Sequence, residues 1–72
     1  MAKTSVKNTI RKLRFAHGEM TQQQLAEEVG VTRQTIVAIE KEKYSPSLEV
    51  AFKIAIALDE PLAAVFSYDA VK

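Results

Sequence analysis

Apolar residues recur at helical spacing in five short runs, separated by Gly18, Gly30, Pro46 and Pro61. Such runs read as amphipathic helices rather than strands. The first helix is predicted from about Thr9 to His17, with Asn8 as cap and Gly18 as stop. Ile10 and Leu13 lie three apart, and Ala16 continues their face. The second run is TQQQLAEEV. Thr21 can cap it with Gln24 three residues later, a capping-box spacing, and Leu25, Ala26 and Val29 form its buried face. Thr32 can cap a third helix, RQTIVAIEKEK, in which Ile36 and Ile39 point one way and Arg33, Gln34, Val37 and Lys41 largely another. A fourth follows SPS, with Ser45 as cap and Pro46 as the first helical residue. Its expected stripe is Leu48, Ala51, Phe52, Ala55 and Leu58, widened by Ile54 and Ile56. The last run starts at Pro61, with Leu62, Val65 and Phe66 inward. Only the two ends, SVK and FSYDAV, carry any alternation. The predicted architecture is an all-α domain of five short helices spanning residues 1–72, with a tail at 67–72.

Length and composition narrow the chemistry. Seventy-two residues allow one domain with a small core. There is no cysteine and a single histidine, His17, so disulfides, thiolate metal sites and a zinc site are not expected, nor is any cofactor. No apolar run approaches the ~20 residues of a membrane span, and MAKTSVKNTIRK lacks the apolar stretch of a signal peptide, so a soluble cytoplasmic protein is expected. The net charge is only +1, but it is unevenly distributed. Residues 1–43 carry eight bases against five acids, and residues 44–72 carry two bases against four acids. A cationic face for phosphate is compatible with that division.

The spacing between Gln22 and Ile39 is the informative part. Two helices that cross steeply through a very short turn need a small residue at the crossing, and Ala26 supplies it. Gly30 can take a positive φ at the turn, Val31 fills the space beneath it, and Ile36 and Ile39 fix the second helix to the first. What remains free is a side carrying Arg33, Gln34 and Val37, with Ala38 beside them. These lie at the N-terminal end of the helix, the end that a helix-turn-helix inserts into the major groove. Arg is suited to guanine O6 and N7, and Gln to adenine N6 and N7.

The stretch TQQQLAEEVGVTRQTIVAIEKEKYSPSLEVAFKIAIAL resembles the Cro/repressor-type (XRE) helix-turn-helix family, in particular its short stand-alone regulators, from about Asn8 to Phe66. The resemblance implies a lambda-repressor-like domain with the helix-turn-helix at 22–43. It implies base reading by Arg33, Gln34, Val37 and Ala38. It also implies phosphate contacts from Gln22, Thr32, Lys41, Lys43, Tyr44 and Ser45, to which the basic character of the first helix adds Arg11. An ion pair between Arg14 and Glu40 is implied as a structural link. The implied function is sequence-specific transcriptional regulation, as a repressor bound to a palindromic operator on double-stranded DNA. One such domain reads few base pairs, so a homodimer is expected, with its two recognition helices ~34 Å apart. Leu62, Val65, Phe66 and Tyr68 are the apolar groups available late in the chain for that interface, and SVK could pair there with the tail as short strands.

The chain departs from the pattern in three places. Glu42-Lys43 stands where the family often has Gly-Lys, so a residue without glycine's freedom ends the recognition helix and adds a negative charge near DNA. The link HGEMT is one residue longer than the commonest form. No effector domain follows, so no small-molecule effector is expected. The alternative is a protein-interaction or antitoxin-like adaptor module on the same fold, for which the free face of the third helix should be apolar or acidic. Arg33, Gln34, Lys41 and Lys43 favour DNA. An enzyme is not expected, because the acid pairs Glu27-Glu28 and Asp59-Glu60 suit a solvated face and a helix N-terminus. Phe15 is open to two readings, a partly buried side chain or a partner contact.

Overall fold

Three of the helices begin where a side-chain hydroxyl accepts from a backbone N–H of the first turn, and the helix ends are closed by backbone bonds. The structure, a computed structural model, describes residues 5–68. It contains β1 (Val6–Asn8), α1 (Ile10–Ala16), α2 (Gln22–Val29), α3 (Arg33–Glu40), α4 (Leu48–Ala57), α5 (Leu62–Val65) and β2 (Phe66–Tyr68). The capping box of α2 forms as expected: the Thr21 hydroxyl accepts from the Gln24 N–H at 3.0 Å, and the Gln24 side chain accepts from the Thr21 N–H at 2.8 Å. Thr32 caps α3 by accepting from the Thr35 N–H at 3.2 Å.

Two starts differ from the sequence expectation. Helix α1 begins at Ile10, one residue late, and the Thr9 hydroxyl at its cap position makes no capping bond but donates to the Ala64 carbonyl at 2.7 Å. The cap position is therefore Thr9 and not the expected Asn8, whose Oδ1 accepts from the Ile10 N–H at 3.2 Å from one residue further back. Helix α4 is capped by Ser47, not Ser45, and Pro46 precedes the cap instead of opening the helix. Ser47 stands three residues before Val50, whose N–H its hydroxyl accepts at 3.2 Å, so the start shifts by two residues.

The turn between α2 and α3 depends on Gly30. Its φ is +86°, and both its own N–H and that of Val31 donate to the Ala26 carbonyl, at 2.8 and 3.0 Å. Ala26 is completely buried where the helices cross. Leu25, Val29, Ile36 and Ile39 join Ile10, Ile54, Leu58 and Val65 in one core. In α1 the expected Ala16 is exposed, Leu13 is half-buried and Arg14 is buried. In α4 the buried face is Ala51, Ile54, Ala55 and Leu58, while Leu48, Phe52 and Ile56 are exposed. Small Ala51 and Ala55 let α4 lie close to its neighbours, so the helix is rotated away from the expected stripe.

The two ends of the described chain pair antiparallel within one molecule, with Val6 opposite Tyr68 and Asn8 opposite Phe66. The Thr9 N–H donates to the Val65 carbonyl at 2.9 Å, continuing the connection into α5. The rest of the predicted tail, 69–72, lies outside the described residues.

Arg14 crosses the domain beneath this framework. Its Nε donates to Glu40 Oε2 at 2.7 Å, its Nη2 to Glu40 Oε1 at 3.1 Å and its Nη1 to the Met20 carbonyl at 2.9 Å. Gln22 Nε2 adds a bond to Glu40 Oε1 at 3.2 Å. The side chains of the ion pair are 7% and 9% exposed, so each ion depends on the other for the solvation it has lost.

Two outcomes follow for stability. Arg14→Met and Glu40→Met should each cost about 3 kcal/mol in urea unfolding, run with a stabilising osmolyte so that both variants fold, and the double variant should cost clearly less than their sum. Strict additivity would show that the pair is uncoupled. For Gly30, a Cβ would meet nothing within 4 Å, so Gly30→Ala should cost only the backbone term, about 1 kcal/mol. A loss of several kcal/mol would mean that the turn is packed more tightly than the structure has it.

Candidate nucleic-acid interface

The face that α3 leaves free is built by its own cap and its two core anchors. Ile36 and Ile39 hold one side of the helix in the core, so Arg33 and Gln34 emerge exposed in its first turn, with Val37 and Ala38 half-buried beside them. The four residues expected to read bases therefore sit together along one helix. Thr32 shares its hydroxyl between the Thr35 N–H and the Thr35 hydroxyl, the latter at 2.9 Å. The N-terminus of α3 adds the partial positive charge of aligned peptide dipoles.

Beside this face lies an open cleft of about 590 Å³ between α1, the start of α2 and α3. Arg11, Arg33 and Lys41 contribute three cations to its lining, and the Arg14–Glu40 pair also lines it. Gln22 lines the cleft too, with its amide donating to Glu40, so it supports the ion pair as well as standing where a phosphate contact was expected. Phe15 is 54% exposed, with the guanidinium carbons of Arg11 and Arg14 at 5.7 and 5.6 Å from its ring centre. The ring is neither a core residue nor an isolated surface group. It restrains the Arg11 guanidinium through cation–π attraction at the cleft wall. The four-residue step from Arg11 to Phe15 on one helix was the available signal for this contact.

The loop after α3 turns through Glu42, whose φ is +63°. The Glu42 N–H donates to the Ile39 carbonyl at 2.9 Å and the Lys43 N–H to the Ala38 carbonyl at 3.0 Å, the paired bonds that close a helix around a left-handed residue. Asp59 repeats this closure after α4, with a φ of +55°. The Glu42 carboxylate meets Lys7 of β1 at 3.3 Å, so the negative charge near the interface has a cationic partner. Asn8 binds the same region, its Nδ2 donating to the Ile39 carbonyl at 2.9 Å. Sequence reasoning missed these two contacts, because the strand that makes them lies more than thirty residues away in the chain. Lys41, Lys43, Tyr44 and Ser45 are all exposed.

The residues expected at a dimer interface are not equally available. Val65 is 1% exposed and belongs to the core of the single chain, which corrects its placement on a shared surface. Leu62 and Phe66 are half-buried, and Tyr68 is 67% exposed. Among the described residues no cluster of His, Cys, Asp or Glu could hold a metal ion, and no helix is long and apolar enough to cross a membrane.

Comparison with known proteins gives the same motif. Residues 10–65 match the helix-turn-helix family. An uncharacterised HTH-type transcriptional regulator of Methanocaldococcus jannaschii is 47% identical over 64 residues, which cover 89% of this chain and 96% of the relative. The HTH-type regulator YgzD of Bacillus subtilis is 48% identical over 61 residues, covering 85% and 91%. A solved structure from Bacteroides fragilis superimposes with a TM-score of 0.74 at 27% identity, covering 86% of this chain and 98% of that one. With its three-residue α2–α3 turn, its left-handed Gly30 and its exposed polar α3 face, the chain belongs to the XRE-type helix-turn-helix family, a class of non-enzymatic, DNA-binding transcriptional regulators.

Proposed function

We propose that the protein is a repressor that occupies a palindromic operator as a homodimer in the cytoplasm, with α3 of each copy in the major groove. The observation that carries this reading is the exposed Arg33–Gln34 pair in the first turn of α3, next to a cleft with three cations. Arg33 and Gln34 have the length and the donors and acceptors to meet base edges, and Val37 and Ala38 offer apolar contact to a thymine methyl. Arg11, Lys41 and Lys43 neutralise phosphates, with Thr32, Tyr44 and Ser45 as polar contacts on the same strand. Repression is by occupancy and needs no effector. An adaptor that binds protein would present an apolar or acidic face on α3, and this one is polar and basic.

Electrostatic anchoring makes a quantitative expectation. Two copies each of Arg11, Lys41 and Lys43 give a slope of roughly −5 for log K against log salt, or about a thousandfold loss of affinity between ~50 and ~200 mM. Titration of a labelled operator fragment across that range measures it, and a nearly flat line would remove the DNA reading.

Reading and anchoring should separate by residue. Gln34→Ala should weaken the correct operator by about 1–3 kcal/mol and relax the preference at one base pair per half-site. Lys43→Ala should weaken all sequences alike and make the salt slope shallower. Binding-site selection from random DNA with both variants checks this. An unchanged site for the Gln34 variant, or a new site for the Lys43 variant, would reverse the assignment.

A further inference from the structure

Helix α4 carries an apolar row that the described residues leave uncovered. Leu48, Phe52 and Ile56 follow at steps of four and are 67%, 47% and 76% exposed. Residues so spaced form a single ridge on a helix surface. The other side of α4 is committed to the core through Ala51, Ile54, Ala55 and Leu58. An apolar groove of about 290 Å³ lies at the Leu48 end, where Pro46, Leu62 and Phe66 help to line it. Three large apolar side chains aligned in water are a candidate contact surface and not ordinary scatter.

The row has the symmetry of a self-association surface. It reads aliphatic, aromatic, aliphatic about Phe52. Two α4 helices packed antiparallel around a two-fold axis at Phe52 bring Leu48 of one beside Ile56 of the partner subunit. The charges fit the same arrangement. Glu49 and Lys53 flank the ridge and pair with each other at 3.2 Å within one helix. In the antiparallel packing Glu49 also faces Lys53 of the partner subunit, whereas parallel packing sets the two Glu49–Lys53 flanks on opposite sides of the seam, where they do not meet. A two-fold interface must be complementary to itself, and both the apolar row and its flanking charges satisfy that condition.

We infer that the chain dimerises through the Leu48–Phe52–Ile56 ridge of α4, with Pro46, Leu62 and Phe66 extending the contact. A stable interface needs about 800 Å² from each partner, more than three side chains supply, so the groove residues are required. This inference rests on the homodimeric reading and relocates its contact from the end of the chain to α4. The ridge lies outside the set of residues assigned to DNA, so both surfaces can act at once.

The absence of cysteine from the chain makes a direct test available, since an introduced thiol is unique. Phe52→Cys should form a disulfide-linked dimer quickly under mild oxidation at micromolar concentration, and Gln24→Cys, exposed on α2, should not. Mixing Leu48→Cys with Ile56→Cys should give cross-links between the two variants in excess over self-linked dimers. In sedimentation equilibrium, Ile56→Lys should raise the dimer dissociation constant about a hundredfold or more while circular dichroism stays that of the folded chain. Wild-type dimers that are indifferent to Ile56→Lys would overturn the proposal, as would a wild-type chain that stays monomeric at high micromolar concentration. Cross-linking as expected without binding to random-sequence DNA at low salt would support the α4 interface and sink the operator reading. DNA binding by wild-type dimers that Ile56→Lys leaves intact would do the opposite.

Discussion

A guanidinium removed from water and held by a carboxylate sets the geometry of this domain. Arg14 reaches from α1 to Glu40 at the end of α3, and on the way fixes the Met20 carbonyl in the link before α2. The Met20 N–H returns a bond to the Arg14 carbonyl at 2.9 Å, so the HGEM link is closed from both sides. Gln22 completes the carboxylate's partners from α2. Three helices are thereby referred to one ion pair. A buried pair of this kind contributes little net stability compared with an apolar replacement, but it penalises any arrangement that separates the ions. Its value here is positional, because the residue it holds is the last of the recognition helix.

The same helix is fixed at three other points, each by a different kind of force. Ile36 and Ile39 bury its inner side, Thr32 caps its start, and β1 holds its end through Asn8 and Lys7. With its axis set in this way, Arg33 and Gln34 need no internal partners to face outward. Among the cleft cations, Arg11 is held by the Phe15 ring. An interface assembled like this is largely preformed, which lowers the ordering cost of docking on DNA.

What the sequence made legible follows from how local the physics is. The α2 capping box, the left-handed Gly30 and the buried Leu25–Ala26–Val29 face are decided within a few residues, and all could be read from spacing. The Arg14–Glu40 pair was legible through family resemblance, since nothing in the twenty-five intervening residues specifies it. The rotation of α4 was not legible. Leu48, Ala51, Phe52, Ile54, Ala55, Ile56 and Leu58 are apolar almost all round, so periodicity cannot select which side meets the core. The choice is made by tertiary packing, in which the two alanines permit closer approach than leucine and phenylalanine would. The left-handed turn at Glu42 was legible only through the resemblance, which puts glycine there, and the one at Asp59 was not, because backbone closure after α4 imposes it.

The pairing of β1 with β2 also bears on the order in which the chain can fold. Val6 and Tyr68 lie at opposite ends of the described chain, whereas α2 and α3 meet across a turn of three residues. Closing a long loop is entropically unfavourable until the intervening elements have compacted, so the helix-turn-helix can form early and the terminal ribbon late. Asn8 and Lys7 reach the end of α3 only from that ribbon. Helix α3 is therefore joined at its start to its nearest neighbours in the chain and secured at its far end by its most distant ones, so opening the terminal ribbon would free the end of the helix while leaving its turn with α2 in place.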